Sequence, residues 1–303
     1  MRQSHSCIRD LYGFMANRFN WIAAGVLFAL LWASASTATK IGLVHAQPFV
    51  IADIRFALAA VIMLFLAHVI WRKRLPHGKE WSQLVIYGFL NITVYLGFYV
   101  IAMQYITAGI GALSVAINPI FISVLSIPLL KQKLKLHVIV GLVVCTVGVL
   151  CSAWPLFQHQ LVTSKGLILL FISMLSYSLA AIYIANQKIS GLHLFALNGW
   201  QTLFGGLLLL PVTLVTYKTE HNHYTLSFWG AVGWLAIPVS IFAVQLWLWL
   251  LRVNAVRASL WLFLCPIFGF AIAAWLMKDK IDIYTIVGVI LVLLGLFLSQ
   301  KKV

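Results

Sequence analysis

Residues 118–134 read NPIFISVLSIPLLKQKL, and residues 265–281 read CPIFGFAIAAWLMKDKI. A proline, an Ile-Phe pair and two lysines recur in one register, 147 residues apart. At that offset the match runs without a gap from Tyr105–Leu150 to Arg252–Phe297, with 12 of 46 positions identical. Pro119 meets Pro266, Lys131 meets Lys278, Lys133 meets Lys280, Gly141 meets Gly288 and Gly148 meets Gly295. A Leu- and Ile-rich composition produces chance matches of its own kind, but not this ordered set of Pro, Lys and Gly. Earlier stretches align less closely, with Trp32 roughly opposite Tyr177. The chain therefore reads as two related halves.

Composition says what those halves are made of. Of the 303 residues, 63% are hydrophobic and 9% charged, and the mean hydropathy is +1.01. A soluble domain keeps about a quarter of its residues charged. This chain lacks the polar surface to cover a globule in water, so lipid must solvate it. Apolar runs fall near Trp21–Thr39, Phe49–Trp71, Trp81–Ala102, Ile106–Leu130 and Leu136–Trp154, then Lys165–Ala185, Leu192–Thr216, Leu226–Leu250, Ala255–Met277 and Ile283–Ser299. Each has the length a helix needs to cross about 30 Å of hydrocarbon. Backbone groups in lipid must bond within their own segment, which selects helix, and the ten-residue alternation of a membrane barrel is missing. The predicted fold is an all-α integral membrane protein of ten transmembrane helices. The stretch Arg18–Ser36 also has the look of a signal peptide, but nine further spans commit the chain to the membrane.

Five spans per half is an odd number. A half that starts on one side ends on the other, so the second half runs inverted. Two inverted five-helix repeats are expected, over residues 21–154 and 165–303, behind a polar cytoplasmic tail at residues 1–20. Fifteen Lys and Arg fall on the amino-terminal side of the membrane and five (Lys40, Lys165, Lys218, Lys278, Lys280) on the other, with Arg55 inside a span. By the positive-inside rule both termini are cytoplasmic. The net charge of +15 is then a topology signal and not a nucleic-acid footprint. Short loops suit a bacterial inner membrane, and nothing in the sequence demands more than a monomer.

Inverted repeats build carriers whose inward- and outward-open states are near mirror images. The residues LWAS at Leu31–Ser34, PFVIADIRF from Pro48, AGIGALSVAINP at Ala108–Pro119, its repeat at Ala255–Pro266, and the Gly141 and Gly288 spans carry a resemblance. The chain resembles the EamA-type transporters of the drug/metabolite transporter superfamily over nearly all of its length after Asn20. That resemblance implies ten helices, a central cavity, and export of amino acids or related metabolites. The family often has Glu after spans four and nine, where Gln132 and Asp279 stand here.

Candidate pathway residues follow from the cost of polar groups in lipid. Arg55 is the sharpest, because an intramembrane Arg is expensive. It is placed either to hold a substrate carboxylate or to pair with carbonyls or Asp53. Pro119 and Pro266, expected in the outer parts of spans four and nine, each free a carbonyl and are candidate kinks or hinges. Asn118 is an interhelical tie or a ligand contact. Ser34 and Thr37 share a small, polar face of span one. Trp32, Tyr95, Tyr99 and Tyr177 are candidates for stacking, and Gln201 and Gln245 are amides that need partners. Coupling, if present, falls to Asp53 or His68. Cys7, Cys145, Cys151 and Cys265 form no metal-ligand spacing, and no phosphate loop, nucleophile elbow or paired carboxylates occur, so neither cofactor nor enzymatic chemistry is expected. Two competing readings are a phosphorylated-sugar or nucleotide-sugar carrier, which calls for several central Lys or Arg where only Arg55 qualifies, and a non-transporting scaffold or sensor.

Overall fold

A computed structural model of the chain describes residues 18–158, 163–187, 191–277 and 283–299. Most of the tail at 1–20, together with Lys188, Lys278, Asp279, Lys280, Asp282, Lys301 and Lys302, lies outside the described residues. The rest is helical, with no strand among the described residues. The helices are α1 (Arg18–Leu43), α2 (Pro48–Leu64, continuing through Phe65–Ile70), α3 (Lys79–Gly88, continuing to Ala102), α4 (Ala108–Ser114, continuing to Leu130) and α5 (Leu136–Gln158). After them come α6 (Ser164–Asn186), α7 (Leu194–Thr216), α8 (Leu226–Trp234, continuing to Val253), α9 (Ala255–Ser259, continuing to Met277) and α10 (Ile283–Ser299). Eight of these are long and apolar enough to cross a membrane; the described apolar stretches of α5 and α10 are shorter. Large apolar side chains cover the outside, Leu226 at 91% exposure and Val215 at 87% among them, a surface that only lipid can solvate.

Helix starts are written in the sequence as caps. Thr107 accepts from the Ile110 amide before α4, Thr163 from Gly166 before α6, and Thr225 from Phe228 before α8. Asn254 accepts from the Arg257 amide before α9 at 2.9 Å. Thr107 and Asn254 are repeat mates, so the same cap opens both copies of the motif. Pro119 and Pro266 were expected in the outer parts of their spans. Pro119 instead sits at mid-helix, directly after the 3-10 turn Val115–Ile117, and Pro266 follows the 3-10 turn Leu260–Phe263. The two tight turns are repeat mates and touch one another. Proline without its N–H is tolerated there because the tightened turn has already broken the i to i−4 ladder.

Near the centre the halves interlock. Helix α1 packs on α8 and α9, while α6 packs on α3 and α4. The most intimate pair is α5 against α10. A Cβ on Gly148 would stand 2.7 Å from the Gly288 carbonyl oxygen, and one on Gly295 would stand 2.8 Å from that of Gly141. The repeated glycines thus let two backbones approach as closely as small-residue membrane interfaces do. Cys145 Sγ donates to the Val292 carbonyl at 3.5 Å, and Val292 is its own repeat mate.

Each end of the bundle has its own clasp. At the end where α1 finishes, Gln47 donates to the Thr216 carbonyl (2.8 Å) and accepts from the Lys218 amide (2.7 Å) and Asn222 Nδ2 (2.9 Å). His223 N donates to the His45 carbonyl there as well. At the end where α1 starts, Gln83 donates to Gln187 at 2.7 Å, Trp71 lies edge-on to Phe195, and Arg74 forms a two-point pair with Glu80. His193 caps α7 by accepting from the Phe195 amide. Burial, then the neighbouring charges of Lys73 and Arg252, hold the His193 imidazole below its ordinary value.

Two outcomes follow from this packing. Gly148→Leu pushes a side chain into the Gly288 backbone and is expected to lower the melting temperature in detergent, at a cost of about 1–3 kcal/mol or more. Gly233→Ala, where a Cβ meets nothing within 4 Å, leaves melting unchanged or slightly raised. The unfolded chain binds a proton at His193 more readily than the folded one, so its contribution is intact above its ordinary value of 6.5 and is lost as pH falls below it. Melting of the wild type is therefore expected to weaken between pH 7.5 and 5.5 more than that of His193→Asn, which keeps a neutral cap.

Candidate functional site

Arg55 enters α2 about 10 Å from its start, at 1.5 Å per residue, roughly a third of the way through the hydrocarbon. It is 3% exposed. Its Nε donates to Ser240 Oγ on α8 at 2.8 Å. Among the described residues its two terminal nitrogens form no hydrogen bond, and the Tyr95 and Tyr99 side chains stand beside it in the same cavity. Arg55 lines this cavity together with Trp32, Ala35 and Ser36 of α1, Tyr95, Leu96 and Tyr99 of α3, Ala112 and Val115 of α4, and Val239 of α8. The space left there is about what one water needs. Among the described residues no acidic side chain lines it.

One wall of this cavity is aromatic. Tyr95 lies 6.1 Å from Tyr99 and 4.8 Å from Tyr177, ring centre to ring centre. Trp32 is 5.9 Å from Tyr177, so the pair placed opposite by the repeat do meet. Behind them Tyr177 stacks on Trp247, and Trp247 on Phe28 at 5.1 Å. The hydroxyl of Tyr177 is buried without a hydrogen-bond partner among the described residues.

Ser240 is the residue that sequence reading missed. It lies in a wide π-helical stretch, Leu235–Ala243, that contains Pro238. Widened turns loosen the backbone ladder and recur at functional sites. Here the loosened Ser240 carbonyl accepts from Asn198 Nδ2 at 2.9 Å. Asn198 accepts in turn from Gln201 (2.8 Å), and Gln201 accepts from Asn91 (3.3 Å) on the π-helical stretch of α3. A polar chain thus runs from Arg55 through α8 and α7 to α3. Pro238 was the available signal in the sequence, since a proline inside an apolar span demands such a rearrangement.

Trp32, Arg55, Tyr95 and Tyr99 come together at the cavity, with Tyr177 behind them. The other candidates do not. Ser34 was expected on a pathway-facing side of span one, but its hydroxyl accepts from the Trp234 indole and it is Ser36 that lines the cavity. Asn118 bridges α4 to α6, donating to Met174 and accepting from Ser178 at 3.0 Å. Its repeat mate Cys265 reaches the Ala29 carbonyl of α1, the equivalent helix. Gln201 belongs to the supporting network. Gln245 reaches the Leu194 carbonyl and Met63, away from the cavity. Arg55 does not pair with Asp53: residues two apart on a helix diverge, and Asp53 Oδ2 accepts instead from Thr213 of α7. His68 accepts from the Trp200 indole through Nε2, which leaves Nδ1 to donate to the Lys73 carbonyl. Both of its ring nitrogens are occupied at the α1-start end of the bundle.

The EamA-like transporter family profile matches residues 19–154 and again residues 164–300. The chain belongs to the EamA-like transporter family. An uncharacterized transporter of Archaeoglobus fulgidus is 24% identical over 281 residues, covering 91% of this chain and 96% of the relative. The uncharacterized transporter YoaV of Bacillus subtilis is 24% identical, covering 90% and 96%. Protein PecM of Dickeya dadantii is 28% identical, covering 84% and 83%. A crystal structure, 15% identical, superposes with a TM-score of 0.75 over 94% of this chain and 98% of that one, which shows a shared fold. This EamA-like chain is thus a multi-pass membrane protein from a family of transporters.

Within it, Ser240→Ala removes the only hydrogen-bond acceptor of a buried guanidinium among the described residues. The expected cost is about 1.5–3 kcal/mol, read as a lowered melting temperature in detergent. Ser34→Ala loses the bond from the exposed Trp234 indole and a local bond to the Leu31 carbonyl of its own helix, and is expected to cost less than about 1 kcal/mol by the same measure, because that carbonyl keeps its place in the helix.

Proposed function

We propose that this EamA-like protein is a secondary transporter that exports small amphipathic metabolites, amino acids or their relatives, across a bacterial inner membrane by alternating access. The observation that carries the reading is a buried, charged cavity at the meeting of α1, α2, α3, α4 and α8, where the two family repeats touch. Two inverted five-helix halves, residues 21–154 and 165–303, supply the rocking bodies. Supporting this, the start of α1 lies beside the α8–α9 junction, with Trp21 5.9 Å from Trp249 and under Arg257. The start of α6 lies beside the α3–α4 junction, with Lys165 Nζ donating to the Tyr105 hydroxyl at 2.8 Å. These are equivalent contacts at opposite ends of the bundle, as two-fold symmetry in the membrane plane requires.

Sidedness follows from charge. Arg72, Lys73, Arg74, Lys79, Arg252 and Arg257 cluster at the end where α1 starts, against Lys40, Lys165 and Lys218 at the other. The first end is the cytoplasmic one by the positive-inside rule. The clasps at Gln47 and at Gln83–Gln187 are the natural outer and inner gates, and with both closed the cavity is occluded. One buried Arg, with no second cation at the cavity among the described residues, fits a solute with a single anionic group better than a phosphorylated sugar.

Flux decides the matter. Proteoliposomes holding the purified protein are expected to take up labelled amino acids or related carboxylates faster than empty liposomes, and Gln47→Ala is expected to change that rate by unclasping one gate. A panel in which no solute moves above the empty control counts against the transporter and in favour of a scaffold.

A further inference from the structure

Among the described residues the cavity carries one fixed charge, and it is positive. Arg55 is buried, with one hydrogen bond to Ser240 through Nε. Among the described residues its terminal nitrogens have no acceptor. A guanidinium at membrane depth without a counter-charge is costly and calls for an acceptor from elsewhere. Asp53, the nearest acid along the sequence, accepts from Thr213 through Oδ2, makes no bond to Arg55 and does not line the cavity. The unused edge of the guanidinium is a planar fork of parallel N–H groups, the geometry that matches a carboxylate at two points. Around it stand the rings of Trp32, Tyr95 and Tyr99, and otherwise mostly small or aliphatic side chains.

We infer that the Arg55 cavity recognises a monoanionic carboxylate with a planar, apolar body, and discriminates against the zwitterionic α-amino form of the same solute. Arg55 holds the carboxylate, and Trp32, Tyr95 and Tyr99 flank the ring. An α-ammonium group in this cavity finds a like charge and no carboxylate partner. The aromatic faces attract a cation only weakly against that repulsion and the lost hydration. The inference rests on the transporter reading for one thing, the entry of the ligand. The cavity has room for about one water, so a ring enters when the halves part.

Phenylacetate, phenylalanine and phenethylamine share one ring and differ in the charge of the head. Each is titrated into the purified full-length protein in detergent, with tryptophan fluorescence and thermal unfolding as readouts. Phenylacetate is expected to bind at least about tenfold more tightly than phenylalanine, with no response to phenethylamine. Arg55→Gln is expected to abolish the phenylacetate response and Arg55→Lys to retain part of it. Phenylalanine binding as tightly as phenylacetate overturns the inference. So does an unchanged phenylacetate affinity in folded Arg55→Gln, or no response to any of the three probes. The ranking is measured on the wild type, so it stands or falls even if Arg55→Gln does not fold. Flux separates this inference from the reading beneath it: amino acid uptake without phenylacetate binding sinks the carboxylate site alone. Phenylacetate binding in a protein that moves no solute sinks the transporter and leaves the site.

Discussion

Lipid offers no hydrogen bonds, and the structure of this chain answers that constraint throughout. Each backbone must satisfy itself, which produces helices. Where a helix departs from the regular ladder, a neighbour supplies the missing partner. The Ser240 carbonyl in α8 takes its proton from Asn198, and in α3 the Leu90 and Tyr95 carbonyls take theirs from Ser176 and Ser173 of α6. Serines and asparagines inside the bundle therefore serve first as ties between helices. After that accounting, two charged side chains keep unspent hydrogen-bonding capacity among the described residues, Asp53 through Oδ1 and Arg55 through its terminal nitrogens, and of the two only Arg55 lines the cavity.

The irregular turns and the polar ties belong to one design. Three π-helical stretches fall in α2, α3 and α8, and two 3-10 turns fall in α4 and α9. The α3 and α8 stretches contribute to the chain from Asn91 to Arg55, and the 3-10 turns meet where the halves cross. At such places the backbone ladder is loosened and re-satisfied by side chains, so a helix can bend there without leaving polar groups unpaired. The α5–α10 pair is the opposite. Its repeated glycines bring backbones into contact with no room for a side chain between them.

Arg55 also shows why charge in a membrane core is informative. In water a guanidinium with one partner is unremarked, because solvent takes the rest. Here it sits beside Tyr95 and Tyr99 in a space about one water wide. Its partner Ser240 belongs to the second half of the chain while Arg55 belongs to the first. A group that engages the guanidinium therefore touches the joint between the halves.

Much of this was legible in the sequence. Hydropathy placed the helices to within a few residues, because the bilayer imposes both length and polarity on a span. The repeat at Pro119 and Pro266 declared two related halves, and the rarity of Arg in lipid singled out Arg55. Side-chain direction was not legible. Ser34 and Ser36 both lie in one small, polar run, and only the packing of α8 against α1 turned Ser34 to Trp234 and Ser36 to the cavity. Asn118, Gln201 and Gln245 are equally polar on paper, yet each turns to a different neighbour. Ser240 drew no attention because its role depends on a π-helical turn and on an Arg 185 residues away. Periodicity and transfer energy act along one chain, so a sequence carries them. Which donor meets which acceptor is settled by helices that approach one another in space, and that the tertiary structure alone decided.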